Sequence, residues 1–172
     1  MRIFRSGASV HTVAAALMTV AGGLAEAAAA GPSYAWRADT SEPAGESLAA
    51  RIPPPAGFTR TTTPPGSFAE WLRGLPMKPR GAPVLLHTGA RKWRQDVHAA
   101  VVDIDTGPRD LQQCADAIMR LRAEWLWSAN RRSEIGFNYT DGKRRSFPSP
   151  GKNDYVAFRK YMNAVFAYAG TY

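Results

Sequence analysis

This sequence has one cysteine and three histidines, and the search for a nucleophile and its base starts with the cysteine. Cys114 lies early in "RDLQQCADAIMRLRAEWLW" (109–127), whose apolar residues recur at helical spacing. A thiol in the first turn of a helix faces oriented N–H groups and the positive dipole end, which favour the thiolate, the form that attacks a carbonyl carbon. A nearby histidine then takes the proton. No histidine stands beside Cys114 in the sequence, so the fold must bring one to it. His98 is the candidate base, and His87 is no better located. Gln113 or Gln112 is the candidate donor to a developing oxyanion. The same stretch supports a competing expectation. Leu111, Cys114, Ala115, Ile118, Leu121 and Trp125 form one apolar stripe, and a free cysteine often behaves as a small buried hydrophobe. On pattern alone burial leads. One thiol and two histidines beyond the leader match no usual metal-ligand spacing, so no metal and no cofactor is expected.

The elements that must position these residues follow from periodicity and turn signals. In the helix around Cys114, Asp110 is the expected cap. The face carrying Arg109, Gln113, Asp116, Arg120 and Glu124 reads as solvated, with Asp116–Arg120 and Arg120–Glu124 at i,i+4 spacing. Upstream, "GSFAEWLRGLPMKP" (66–79) predicts a short helix. Ser67 and Glu70 form a capping box, Trp71 is core, and Gly74 with Pro76 gives the stop. "APVLLHT" (82–88) and "VHAAVVDID" (97–105) read as a hairpin-like pair of strands. The second is apolar on both faces, which predicts an interior strand with His98 on the face of Val102.

Downstream, "EIGFNYT" (134–140) predicts a third strand closed by the turn at Asp141-Gly142, and "RRSFPSPGK" (144–152) a loop. "NDYVAFRKYMNAVFAYAG" (153–170) predicts an amphipathic helix with Tyr155, Phe158, Met162, Val165, Phe166 and Ala169 turned to the core. The order helix, two strands, helix, strand, helix gives an α+β fold, with amphipathic helices packed on a small antiparallel sheet.

The flanks set the setting. Arg2 and Arg5, an apolar run from Thr12 to Leu24 and Ala25-Glu26-Ala27 read as a secretory signal peptide over residues 1–27, so export to the periplasm, envelope or medium is expected. Residues 28–55, poor in large aliphatics and ending in three prolines, read as a linker or extended segment, and 56–172 as a single domain. The formal charge is +8, and cleavage after Ala27 leaves 20 basic against 13 acidic residues, or +7. In an exported chain this excess favours acidic envelope polymers. The basic residues accompany no nucleic-acid signature, and no span remains once the leader is gone.

The stretches "RIPPPAGFTR", "GSFAEWLRGLPMKP", "HAAVVDIDTGPRDLQQCADAIMRLRAEWL" and "FRKYMNAVFAYAGT" closely resemble the bacterial domain-of-unknown-function family 4846, over roughly Arg51 to Thr171. The resemblance implies a secreted or lipid-anchored protein in which the helix-borne cysteine precedes a Gly-Asp strand and then a strand histidine. That is the order of papain-like cell-wall endopeptidases. Cys114 then takes the nucleophile's place, and the base is expected from a segment beyond Tyr172. This sequence departs from the pattern there, at Gly136 in place of a histidine, and in its short "GKRRSFPSPGK" loop. The implied protein is a C-terminally truncated papain-like hydrolase domain with an incomplete catalytic set. It would act on a cell-wall peptide or other envelope amide and show little activity. The rival reading is a non-catalytic envelope-binding module, with Cys114 in the core and the loops near Lys92 and Arg144 touching acidic polymer.

Overall fold

Helix α3 (Cys114–Ser128) is the longest element of the computed structural model, which describes residues 32–38, 45–148 and 154–169. Its interior holds no glycine or proline and is rich in Ala, Leu, Met, Arg and Glu, all good helix formers. The helix starts after Gln113, whose backbone N–H donates to the Asp116 carboxylate at 3.1 Å. Asp110 therefore lies outside the helix and does not cap it. At the other end Asn130 adopts a left-handed φ of 56°. The N–H groups of Arg131 and Asn130 fold back to Leu126 and Trp127 carbonyls at 2.8 and 3.1 Å, the pair of bonds that closes a Schellman motif.

Helix α4 (Tyr155–Tyr168) is capped by Asp154, and it buries Phe158, Met162, Val165 and Phe166, the stripe that its periodicity predicts. Two short helices precede α3. They are α1 (Leu48–Arg51), capped by Ser47, and α2 (Phe68–Arg73), capped by the Ser67 hydroxyl, which accepts the Glu70 N–H at 3.2 Å. Strands β1 (Gly136–Asn138) and β2 (Arg144–Ser146) pair antiparallel with Phe137 opposite Arg145. Gly142, at φ 75°, makes the turn between them. The fold is thus α+β, with four helices and a two-stranded antiparallel sheet among the described residues.

Aromatic rings knit the core. Trp127 lies 4.8 Å from Phe158 and 5.8 Å from Phe147, ring to ring, and Phe68 of α2 meets Trp125 of α3 at 5.5 Å. Each such pair adds about 0.5–1.5 kcal/mol beyond the area it buries. Residues 32–38 do not hang free. The Tyr34 hydroxyl donates to the Trp71 carbonyl at 2.9 Å, Trp36 Nε1 donates to the Asp103 carbonyl at 2.8 Å, and Arg37 pairs with Asp103. Part of the expected 28–55 linker is therefore docked on the domain. The signal peptide and its cleavage site lie outside the described residues.

Three further expectations fail. The runs 82–88 and 97–105 form no strand and do not pair with each other. The first folds into a tight turn, with a single bridge between Leu85 and Arg91. The second pairs briefly with the exit of α2 through Lys78 N–H to the Val101 carbonyl at 2.9 Å and Asp103 N–H to the Pro76 carbonyl at 2.7 Å. Pro79 and Pro83 interrupt any longer ladder, and Val97, expected inside, is 63% exposed. Conversely, part of the expected loop after Gly142 is β2.

The third failure concerns which face of α3 is buried. Arg120 and Glu124, read as solvated, are 0% and 1% exposed, whereas Cys114 and Ile118, read as core, are exposed. The reason is that other elements satisfy the charged pair. Arg120 Nε donates to Glu124 Oε1 at 2.6 Å, and the Tyr155 hydroxyl on α4 donates to the same oxygen at 2.6 Å. Breaking a buried pair strands the other charge and costs about 3–5 kcal/mol, whereas an apolar replacement of both is far milder. Arg120→Met is therefore expected to lose about 3–5 kcal/mol in a denaturant melt, and Arg120→Met/Glu124→Leu to recover most of it. A double variant as unstable as the single one would show that packing, not the stranded carboxylate, sets the cost.

Candidate functional site

Cys114 is the first residue of α3, and its side chain is exposed. It is not sealed in the core, so the pattern-based expectation of burial is overturned. The first-turn N–H groups of a helix have no intrahelical acceptors and point outward at its mouth. Beside the thiol opens a cavity of about 500 Å³ whose wall includes His87, Lys92, Arg109, Asp110, Gln112 and Cys114. His87 Nδ1 stands 3.8 Å from Asp110 Oδ1. This is ion-pair range for a protonated ring, and one small adjustment short of a hydrogen bond.

His87 reaches this wall through the turn that replaced the expected strand. Leu86 N–H donates to the Ala90 carbonyl at 2.8 Å, Lys92 N–H to the Val84 carbonyl at 2.9 Å, and Gly89 takes the left-handed φ of 84° that the reversal needs. Gln95 pins the turn from behind. Its side-chain oxygen accepts the Val84 N–H at 3.0 Å, and its amide donates to the Val84 and Lys92 carbonyls at 3.0 and 2.6 Å. The opposite wall is the loop before α3. It is fastened to the interior at Asp105, which takes hydrogen bonds from both Arg120 and Arg159, and at Gln112, whose Oε1 accepts from Arg120 Nη1 at 2.9 Å.

A second cavity of about 480 Å³ shares His87 and Thr106 with the first and continues along Val102 and Ile104. The two adjoin along Val84 to His87, the more polar compartment at the thiol with Lys92, Arg109 and Asp110, the other with Val101, Val102 and Ile104 beside Lys78 and Asp105. Among the described residues Lys92 and Arg109 have no ion-pair partner, so the polar compartment presents free positive charge. No three His, Cys, Asp or Glu side chains of the described residues gather as a metal site.

The structure does not bring His98 to Cys114. His98 lines a separate cavity of about 210 Å³ with Arg51, Arg91 and Gln95, which has no residue in common with the thiol cavity, and its Nδ1 is buried without a partner. Gln113 is the residue before the helix, and its Nε2 is directed at Asp110 Oδ1, 3.5 Å away. Sequence alone locates His87 near Cys114 no better than His98. Gly89 lies in the expected turn, but the reversal already includes Leu86 and His87, inside the expected strand.

A family model described as "Domain of unknown function (4846)" matches residues 48–152. The chain belongs to that family. The matched residues run from α1 to beyond β2 and contain Cys114, His87, Asp110 and both glutamines. No curated protein and no solved structure matches this family 4846 chain. No helix among its described residues is long and apolar enough to cross a membrane.

Because Cys114 is the sole cysteine, alkylation reports on it without ambiguity. Iodoacetamide at mildly acidic pH, without denaturant, is expected to label it at a measurable rate by mass spectrometry, and His98→Ala is expected to leave that rate unaltered. Protection until unfolding would contradict the exposed placement, and slowing by His98→Ala would connect the two cavities.

Proposed function

We propose that the family 4846 chain carries a thiol acyl-transfer site of the cysteine-hydrolase type, directed at an amide of the bacterial cell envelope. The observation that supports it is the sharing of one open cavity by an exposed thiol at a helix mouth and a histidine that faces a carboxylate. His87 takes the Cys114 proton. The sulfur then bonds the carbonyl carbon while the π pair moves to oxygen. Collapse of that adduct expels the amine, which leaves with the proton from His87, and water hydrolyses the thioester. Asp110 orients the imidazole, and its 3.8 Å separation shortens when a ligand closes the cavity. The base thus comes from upstream of Cys114, not from the downstream segment that the papain-like order implies. Lys92 and Arg109 suit a peptide with a free carboxylate beside the scissile bond, and the leader-like residues 1–27 suit export to such a substrate.

One observation favours a second reading, a face that binds acidic polymer without catalysis. Trp93, next in sequence to Lys92 of the cavity wall, is 84% exposed, with the Arg94 guanidinium 5.3 Å from its ring. The core cysteine that the binding-module reading first assumed is absent, since Cys114 is exposed.

Acylation separates the two. With p-nitrophenyl acetate, mass spectrometry is expected to find an acetyl group on Cys114, none on Cys114→Ser, and acylation slowed about 10²–10⁴-fold in His87→Ala. New amine termini are expected to appear in purified cell-wall peptides treated with the parent chain. No adduct on the parent would retire the hydrolase, and a His87→Ala variant that acylates at the parent rate would move the base elsewhere.

A further inference from the structure

Arg120 is a guanidinium wholly shut off from water in the middle of α3. A core that needed only volume there would take Met or Leu at lower cost. Its five N–H donors have no accepting capacity, so every group facing it must turn an oxygen inward. Nε meets Glu124 Oε1 at 2.6 Å, and Nη2 meets the Tyr155 hydroxyl at 3.2 Å and Asp105 Oδ2 at 3.3 Å. Nη1 meets the Asp105 carbonyl at 3.2 Å and Gln112 Oε1 at 2.9 Å. That last bond has a consequence at the surface. With its oxygen held inward, the Gln112 amide must point its NH₂ away from Arg120. Gln112 also lines the cavity at Cys114, and its Nε2 has no acceptor among the described residues. The Gln113 amide, by contrast, is committed to Asp110.

We propose that Arg120 is a positioning residue that fixes the Gln112 amide with its N–H groups toward the thiol cavity, so that Gln112, and not Gln113, receives the oxyanion formed when Cys114 adds to a carbonyl. The inference rests on the thiol chemistry proposed above. In the addition the sulfur–carbon bond forms and the carbonyl π pair moves to oxygen. Gln112 Nε2 and the first-turn N–H of Cys114 are the donors available to that oxygen. The buried charge therefore acts at the surface through one amide.

The test uses two probes of the same sulfur. Iodoacetamide alkylates by displacing iodide and forms no oxyanion. Acetyl-alaninal adds the S–H across its C=O to give a hemithioacetal, whose oxygen needs the donors, and its affinity is read from the protection it gives against alkylation. The measured quantity is aldehyde affinity divided by alkylation rate, which cancels any change in the thiol itself. Gln112→Glu keeps an oxygen for Arg120 and removes the NH₂, and Gln112→Met removes both. In each the ratio is expected to fall about 10²-fold. Arg120→Lys keeps the charge but not the planar fork, and is expected to lower the ratio in chains that still melt cooperatively. An unchanged ratio in both Gln112 variants, or a parent that is alkylated but not protected by the aldehyde, overturns the assignment of Gln112 while the thiol reading stands. An unchanged ratio in Arg120→Lys overturns the positioning role. A parent that is not alkylated at all sinks the thiol reading itself, and this inference with it.

Discussion

A guanidinium kept out of water ties this molecule together. Arg120 joins α3 to itself through Glu124, to α4 through Tyr155, and to the loop before α3 through Asp105 and Gln112. Burial pushes the Glu124 carboxyl above its ordinary range, against the pull of Arg120 and of the Tyr155 hydrogen bond. Burial and the neighbouring carboxylate likewise push the Tyr155 hydroxyl up. Arg159, beside them, is pushed down by burial and by the like charge of Arg120. The cluster is therefore a set of costly groups that make sense only together. Removing one leaves the others unpaired in a medium that gives them no water.

That interdependence reaches the candidate site through the loop between Ile104 and Gln113. Asp105 is held by two guanidiniums at one end and Gln112 by Arg120 at the other, so the loop can vary only between two fixed posts. Gly107 sits between them with φ 73°, where a Cβ would be strained and would also meet Arg159. The facing wall is fixed by different means, the Gln95 amide clasping both backbone groups of Val84. Cys114 lies between a wall anchored in the core and a wall anchored by one side chain. The 3.8 Å His87–Asp110 approach spans those two walls.

What was legible in the sequence was what neighbouring residues decide. The Ser67 cap, the Asp141-Gly142 turn and the aromatic stripe of α4 depend on contacts within a few positions, and each stands as read. The buried face of α3 depends on Tyr155, 31 positions from Glu124, and on Asp105 and Gln112 in a preceding loop. A charged i,i+4 pair reads as solvated unless those partners are known. The 82–105 region failed for a related reason. Its apolar runs carry β propensity, but propensity expresses a fit to a neighbouring strand, and the neighbours that formed were a turn and three residues after α2. The thiol's place was half legible. Its position near a helix start could be read from spacing, whereas its exposure and its histidine could not.

The burial of α3 changes along its length, and this bears on what the helix is for. Ala123, Glu124, Trp125, Leu126 and Trp127 are all buried, so the final turns are enclosed on every side, whereas Cys114 and Ile118 near the start are open. An ordinary surface helix buries one stripe throughout. Here the enclosed end is clamped further by the Trp125 Nε1 bond to the Gly66 carbonyl at 3.1 Å, and by Arg132 stacked 4.0 Å from the Trp127 ring. A second hold is the buried Arg120, and at 1.5 Å per residue the thiol lies only about 9 Å along the axis from it. A stiff rod held at its middle and at its far end positions its first turn without burying what that turn presents. That arrangement reconciles an exposed cysteine with a strongly packed helix, and it explains why the apolar spacing around Cys114 was a misleading guide to its surroundings.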